Sequence, residues 1–234
     1  MFCTTKQCHA AAGSAACCQV EAGPAGDGAG WVVTLTGEGL TAMSRRSQVF
    51  DTDVAVIGGS VVGLTLTSLL LKAGFRVAVI EAADAQAPFT VEDEVDLRVF
   101  AITRASEAIL RQAGAWPMIA NARLGHFRDM QVWDAQGDGK IEFNASDLSE
   151  ATLGYIIENR LIQSALEQSI SEQPGLNWYR PARLKTIEFG EQAATVVLEG
   201  DQTVTCRLVA GADGAHSKVR ELCGIDTQGR DISR

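Results

Sequence analysis

The feature that most constrains this chain is a strand–turn–helix–strand pattern. Asp53–Ile57 is a short apolar run that stops at Gly58, which is typical of a buried parallel strand. The spacing predicts a helix over Val61–Ala73, closed by Gly74, and a second strand over Arg76–Ile80. Two parallel strands joined in this way need a right-handed crossover. The pattern therefore predicts an α/β fold built on a parallel sheet.

The turn of this unit has the residues that a dinucleotide site needs. Gly58 permits a tight turn, and Gly63 lets the helix pack closely on the strand, so that free N–H groups at the helix start face a pyrophosphate. Glu81 ends the second strand, 18 residues after Gly63, where a carboxylate can accept hydrogen bonds from ribose hydroxyls. The predicted binding turn comprises Gly58, Gly59, Ser60, Val62 and Gly63. A turn without a ligand is the alternative, and the register of strand, helix and Glu81 favours the dinucleotide.

One position departs from the glycine pattern. Ser60 stands where the pattern has a glycine that lets the backbone approach the pyrophosphate. Its side chain is small and its hydroxyl can donate a hydrogen bond to phosphate. We expect Ser60 to weaken or reshape the binding without abolishing it.

A second glycine motif lies far along the chain. Gly211-Ala-Asp-Gly214 follows a predicted strand over Val204–Ala210 and precedes a predicted helix over Ser217–Leu222. Asp213 can turn its carboxylate toward a bound sugar, or it can cap the helix. From these residues alone both interpretations stand.

Between the two motifs the sequence pattern becomes typical of antiparallel strands. Strands over Phe127–Trp133 and Lys140–Asn144 flank a Gln-Gly-Asp-Gly turn at 136–139, which predicts a hairpin. The remaining predicted elements are helices over Thr103–Gln112 and Asn159–Gln173 and strands over Leu184–Phe189 and Ala194–Leu198.

The start of the chain differs from the rest. Residues 1–42 are rich in Ala and Gly, contain no Arg and have only a short strand-like run at Trp31–Thr36, so we predict a disordered low-complexity extension. Met43 precedes the patterned region, and we expect the native protein to start there. Four cysteines lie in this extension, near His9: Cys3, Cys8, Cys17 and Cys18. Their spacing lacks the paired pattern of a zinc site, so no metal site is predicted.

Charge and hydropathy exclude several functions. The net charge of −9 argues against nucleic-acid partners, whose binders need clustered Lys and Arg. The most apolar run, Val61–Leu71, is far shorter than the ~20 residues of a membrane-spanning helix. The start lacks the pattern of a signal peptide. These features predict a cytoplasmic protein, at most peripheral to a membrane.

Together the two glycine motifs resemble the flavoprotein aromatic hydroxylases, which bind FAD and share the para-hydroxybenzoate hydroxylase fold. Further segments are similar to the ubiquinone-biosynthesis hydroxylases, with the 2-octaprenylphenol hydroxylase branch nearest in pattern. The resemblance runs from about Val54 to Ile225. The segments that carry it are Asp96-Leu-Arg-Val-Phe-Ala-Ile-Thr103, Gly114-Ala-Trp116, Met130-Gln-Val-Trp-Asp134 and Leu153-Gly-Tyr-Ile-Ile-Glu-Asn159.

The resemblance implies roles for single residues. Gly58, Gly63 and Glu81 match the adenosine and pyrophosphate site of FAD, and Asp213 matches an aspartate at the FAD ribose. Arg98 matches an arginine that contacts the cofactor; a surface ion pair with Asp96 or Glu94 is its alternative. Asn159 matches a polar residue near the cofactor, with a helix cap as its alternative. Arg220 is expected to hold the local fold. No catalytic residue is assigned, and His126 and His216 are read as structural.

The implied function is that of an FAD-dependent monooxygenase. The resemblance implies that the protein hydroxylates a polyprenylated phenol or quinol ring with NAD(P)H and O2. It also implies that the protein is peripheral to the inner membrane or part of a ubiquinone-biosynthesis complex. The family's further G-D-A-x-H motif is not found after Gly214, which predicts a C-terminally truncated chain. Residues 43–234 are then an incomplete FAD-binding domain, with 125–155 part of an antiparallel substrate sheet. The alternatives are an inactive FAD-binding remnant and an NAD-linked dehydrogenase.

Overall fold

A computed structural model describes residues 50–135 and 137–228. In chain order its elements are β1 (Val54–Ile57), α1 (Val61–Lys72), β2 (Val77–Ile80), β3 (Val99–Thr103), α2 (Arg104–Ala113), α3 (Trp116–Asn121), β4 (Gly125–Phe127), β5 (Asp129–Trp133), β6 (Lys140–Asn144), a 3-10 turn (Ala145–Leu148), β7 (Gly154–Glu158), α4 (Asn159–Ile170), β8 (Leu176–Tyr179), β9 (Leu184–Phe189), β10 (Ala194–Leu198), β11 (Thr203–Cys206), β12 (Leu208–Gly211) and α5 (Lys218–Leu222). The predictions for residues 1–42, including the Trp31–Thr36 strand and the early cysteines, lie outside the described residues.

The centre of the fold is a four-stranded parallel sheet in the order β12-β1-β2-β8. Val54 of β1 pairs with Val77 of β2 on one side and with Leu208 of β12 on the other. Every residue of β1 and β2 is buried, because both faces of the sheet are covered. This confirms the predicted α/β class.

The two faces of the sheet belong to different cores, as the alternation of side chains along a strand requires. On one face Val56 and Val79 pack among the helices, with Leu64 of α1 and Leu166 of α4 completely buried beside them. On the other face Ile57 joins a core under the antiparallel sheet β11-β10-β9 and helix α5. The fold thus has three layers: helices, parallel sheet and antiparallel sheet.

The part of the chain between β2 and α4 forms a second antiparallel region. Strands β3, β7 and β4 form one small sheet, and β5 and β6 form a two-stranded ribbon. The ribbon pairs Met130 with Phe143 and Val132 with Ile141, so these four side chains share one face. Each is 44–58% exposed to solvent. One face of the ribbon is therefore apolar and uncovered within the described part of the chain.

The predicted element boundaries are confirmed in part. The hairpin and the strands over Leu184–Phe189 and Ala194–Leu198 occur as predicted. The predicted strand Phe127–Trp133 is wrong as a single element, because the chain forms β4 and β5 in different sheets. The predicted strand Val204–Ala210 is also two strands, since the chain passes from the antiparallel to the parallel sheet at Arg207.

Some elements carry no strong local signal and were not predicted. They are β3, α3, β7 and β8. Within residues 50–135 and 137–228, none of the helices combines the length and the apolar character needed to cross a bilayer.

Candidate dinucleotide site

The glycine turn after β1 has no room for side chains at two positions. An ideal Cβ on Gly63 would lie 1.9 Å from the carbonyl oxygen of Gly58. Gly58 has φ +109°, and a Cβ there would lie 2.4 Å from the carbonyl oxygen of Ala212. Helix α1 therefore starts directly on the turn, as the sequence predicts, and the turn itself lies against the second glycine motif.

The start of α1 is free to receive an anion. Ser60 is the N-cap residue, with extended backbone (φ −88°) and no hydrogen bond from its side chain to the helix. The first turn contains no acidic residue, and Val62 is 65% exposed. Unpaired N–H groups and the positive end of the helix dipole therefore face outward at this turn. These features fit the pyrophosphate of a dinucleotide.

Glu81 closes the site on the side of β2. Its carboxylate accepts hydrogen bonds from the N–H of Gly59 at 2.6 Å and from the N–H of Ala83 at 2.8 Å. Each carboxylate oxygen has two acceptor positions, so one on each oxygen stays open for a ribose hydroxyl. The position of Glu81 beside the turn is compatible with the predicted ribose contact.

Asp213 of the second motif lies at the start of α5. Its carboxylate accepts from the N–H groups of Lys218 (2.7 Å) and Val219 (3.1 Å) and from the hydroxyl of Ser217 (2.5 Å). The capping interpretation is thus visible in the structure, and the ribose contact stays a prediction. Arg220 donates to the carbonyl oxygen of Ala215 at 2.8 Å, which is the local role predicted for it.

Arg98 and Asn159 are neighbours, although 61 positions separate them in the sequence. The backbone N–H of Asn159 donates to the carbonyl oxygen of Arg98 at 2.9 Å. The cap alternative for Asn159 is wrong, because the N-cap of α4 is Glu158 and Asn159 is the first helical residue. Among the described residues no ion pair joins Arg98 to Asp96 or Glu94. The Arg98 guanidinium lies 5.9 Å from the ring centroid of Phe100.

Helix α4 connects this pair to the glycine turn. One turn after Asn159, the amide nitrogen of Gln163 lies 3.5 Å from the carbonyl oxygen of Gly59. An open cleft of about 530 Å³ runs along the same helix, and its polar lining includes Arg160, Gln163 and Arg180. Sequence reasoning missed these residues. For Gln163 the available signal was its position on α4, four residues after Asn159.

His126 and Cys206 are side chains of types that take part in acid–base or covalent catalysis. The His126 ring packs against the Tyr155 ring at 4.9 Å, which agrees with a structural role. Burial raises the pKa of the Cys206 thiol to about 11, so this thiol is protonated at neutral pH. In the part of the chain that the structure describes, no group of three metal-ligating side chains occurs.

For Ser60 the structure favours a hydroxyl that donates to phosphate over the weakened binding expected from the glycine pattern, so the expected direction changes. Its extended backbone is unstrained, and its exposed hydroxyl has no partner in α1, so the hydroxyl is available to a phosphate oxygen. We expect Ser60→Gly to raise the dissociation constant for FAD about fivefold, the size of one lost hydrogen bond. Fluorescence titration of FAD with Ser60→Ala as the control measures this. Tighter binding by Ser60→Gly would mean that the side chain obstructs the phosphate.

Comparison with known proteins identifies the family. The family model described as "FAD binding domain" matches residues 51–233. The chain is 34% identical over 174 residues to 3-demethoxyubiquinol 3-hydroxylase of Escherichia coli, covering 74% of this chain and 44% of that protein. It is 31% identical to ubiquinone hydroxylase UbiL of Rhodospirillum rubrum (74% and 39%) and 30% identical to mitochondrial COQ6 of Drosophila melanogaster (82% and 41%). The chain spans less than half the length of these relatives.

Solved structures show the same fold. The p-nitrophenol 4-monooxygenase PnpA of Pseudomonas putida superposes with a TM-score of 0.62 at 22% identity, over 76% of this chain and 45% of that one. The probable FAD-dependent monooxygenase PqsL of Pseudomonas aeruginosa gives 0.59 at 24% identity, over 76% and 47%. Both share the fold of this chain over about three quarters of its length. The chain belongs to the FAD binding domain family, and FAD is its cofactor.

Proposed function

We propose that this chain is the FAD-binding part of a monooxygenase that hydroxylates the phenolic ring of a ubiquinone precursor. The observation that carries the proposal is the glycine turn at the start of α1 with Glu81 beside it, which fits the pyrophosphate and ribose of FAD. The relatives named as ubiquinone hydroxylases support the substrate class. NAD(P)H and O2 are the co-substrates of the proposed reaction.

The residues of this chain bind and orient the cofactor in the proposed mechanism. FAD, when bound, supplies the redox chemistry between NAD(P)H, O2 and the phenol. The N-terminus of α1, with Ser60, holds the pyrophosphate, and Glu81 holds the ribose of the adenosine. Arg98, directly before β3, and Asn159, directly after β7, would contact the cofactor. Asp213 holds the second motif in place by capping α5, with its ribose contact as a further prediction.

We also propose a division of the chain. Residues 43–234 belong to the FAD-binding domain, and 125–155 contribute to an antiparallel substrate sheet. The uncovered apolar face of the β5–β6 ribbon supports this, because an exposed apolar face of this kind marks a surface on which further structure or a partner packs. The greater length of the relatives supports it as well.

A peripheral position at the cytoplasmic face of the inner membrane is part of the proposal. A polyprenyl tail partitions into the bilayer, so an enzyme acting on it must reach the membrane surface. With a net charge of −9, attraction of a basic patch to anionic lipid is a poor basis for that contact. Sedimentation with vesicles of neutral lipid, with and without a polyprenylphenol, tests this position.

The decisive experiment separates binding from turnover. We expect the purified 234-residue chain to bind FAD and to be yellow with flavin absorbance. The whole protein, with the segments that the longer relatives have, is expected to oxidise NAD(P)H in the presence of FAD and a short-chain polyprenylphenol and to yield the hydroxylated ring by mass spectrometry. A chain that binds NAD and no FAD would contradict the proposal and favour a dehydrogenase. FAD binding by a whole protein without hydroxylation would favour the inactive remnant.

A further inference from the structure

The segment that leads into β3 has no strand or helix of its own. Residues 91–97 connect the region after β2 to Arg98, and their side chains are largely in solvent: Leu97 is 97% exposed and Val95 is 64% exposed. Hydrophobic burial therefore contributes little to its conformation. Its backbone is nevertheless held at several points by side chains from other elements.

Arg123 makes the first set of contacts. Its guanidinium donates to the carbonyl oxygens of Val91 (3.1 Å), Asp93 (2.7 Å) and Glu94 (3.2 Å). It also pairs with Glu158, with 2.6 Å between Nε and Oε1. A planar guanidinium can hold several fixed acceptors at once, which an ammonium group does not match. Arg123 therefore ties three carbonyl groups of the segment to one buried carboxylate.

Three consecutive residues at the junction of β7 and α4 make the second set. The Glu158 carboxylate accepts from the N–H of Asp96 at 2.7 Å, the N–H of Asn159 donates to the Arg98 carbonyl, and Arg160 pairs with the Asp93 carboxylate at 3.0 Å. The carboxylate of Asp96 in turn accepts from the N–H of Arg98 at 2.9 Å. Two hydrogen bonds thus connect Glu158 to the backbone of Arg98.

The charge state of Glu158 suits this role. Its side chain is 7% exposed, and the hydrogen bonds from Arg123 hold the pKa of its carboxyl below its usual range. The carboxylate is therefore ionised at neutral pH and offers both oxygens as acceptors. Removal of the Arg123 guanidinium would leave this carboxylate buried without its hydrogen-bonded cation, which is costly.

We propose that Arg123 and Glu158 are positioning residues that fix segment 91–98 and thereby set Arg98 against the FAD. The inference rests on the proposed cofactor contact of Arg98. Neither residue touches the cofactor in this scheme. They act on the backbone that carries Arg98, together with the N–H of Asn159, which donates to the Arg98 carbonyl oxygen at 2.9 Å.

The test uses Glu158→Gln in the full 234-residue chain, since Gln keeps the shape and removes the charge. We expect the amides of Asp96 and Arg98 to exchange hydrogen faster, measured by hydrogen-exchange mass spectrometry or NMR without FAD. The dissociation constant for FAD should rise about fivefold, the size of coupling within one hydrogen-bond network. Arg123→Lys should also raise the dissociation constant for FAD, because an ammonium group cannot hold all three carbonyl oxygens that the guanidinium holds.

Glu107→Gln is the matched control. Glu107 is a carboxylate of α2 that is 3% exposed, and it pairs with Arg111 at 2.6 Å, but it does not contact segment 91–98 in the described structure. We expect a similar loss of thermal stability in both variants and weaker FAD binding in Glu158→Gln alone. Equal weakening of FAD binding in both would overturn the positioning role.

A double-mutant cycle with Arg98→Ala separates the two proposals. If Glu158 acts through Arg98, Glu158→Gln has little further effect on FAD binding once Arg98 is removed; additive effects would contradict this. If Arg98→Ala alone leaves FAD affinity unchanged, the cofactor contact of Arg98 is wrong and the positioning proposal is overturned with it. Absence of FAD binding in the unmutated chain would contradict the proposed function, while the hydrogen-exchange result would still report on the segment.

Discussion

Gly63→Ala is expected to unfold the start of α1 and to abolish measurable FAD binding. In the interior of a helix, Gly to Ala ordinarily stabilises by about 1 kcal/mol. At this position the added Cβ would lie 1.9 Å from the Gly58 carbonyl oxygen, so the helix must move off the turn. We expect a net loss of about 3 kcal/mol of unfolding free energy, the upper range for overpacking. Urea unfolding and FAD titration measure the two effects.

Gly74→Ala is the control for this prediction. Gly74 follows the end of α1 with φ +85°, and a Cβ there would meet no atom within 4 Å. Only the strain of a positive φ, about 1 kcal/mol, is expected, with FAD affinity unchanged. A Gly63→Ala protein as stable as the unmutated chain, with FAD bound, would show that the close approach of helix and turn is not required.

Glu81→Ala is expected to raise the dissociation constant for FAD roughly 10- to 100-fold, because hydrogen bonds to a charged acceptor contribute about 1.5–3 kcal/mol. The substitution removes the proposed ribose acceptor. It also releases the N–H groups of Gly59 and Ala83 that the carboxylate now holds. Isothermal titration or quenching of flavin fluorescence measures the change.

Asp53→Ala provides the comparison at the opposite end of the sheet. Asp53 precedes β1 and accepts from the backbone N–H of Arg76 at 2.9 Å, and it pairs with the guanidinium of the same residue at 3.2 Å. Loss of this carboxylate should lower the free energy of unfolding by at most about 1 kcal/mol, the contribution of an exposed ion pair. The affinity for FAD should stay within about twofold, because Asp53 lies at the end of β1 opposite the glycine turn. Equal effects of the two substitutions on FAD would argue against a ribose role for Glu81.

The strand–turn–helix–strand unit was predictable because its signals are local. β1, α1 and β2 lie within two residues of their predicted bounds, since apolar runs of fixed length and glycines at their ends specify them. The strands β3 and β7 were missed for the opposite reason. Val99–Thr103 pairs with Gly154–Glu158, and the pairing across 50 residues stabilises both runs.

The strand predicted over Val204–Ala210 shows what a local pattern cannot contain. No glycine or proline interrupts the run. Arg207 and Leu208, however, both donate their N–H groups to the Asp53 carbonyl oxygen, at 3.1 and 3.2 Å. This contact turns the chain from the antiparallel sheet into the parallel one. Only the position of Asp53 in the folded protein decides where the strand divides.

The candidate site divides in the same way. The sequence by itself determined the class of ligand and its turn, because a tight turn, a close helix and an acidic strand end impose residue types at fixed spacing: Gly58, Gly63 and Glu81. Only the tertiary structure decided that the turn lies against Ala212 and that Arg123 and Glu158, 35 residues apart, hold the segment before Arg98. The physical reason is that these contacts join distant parts of the chain, whose approach depends on the packing of the whole sheet.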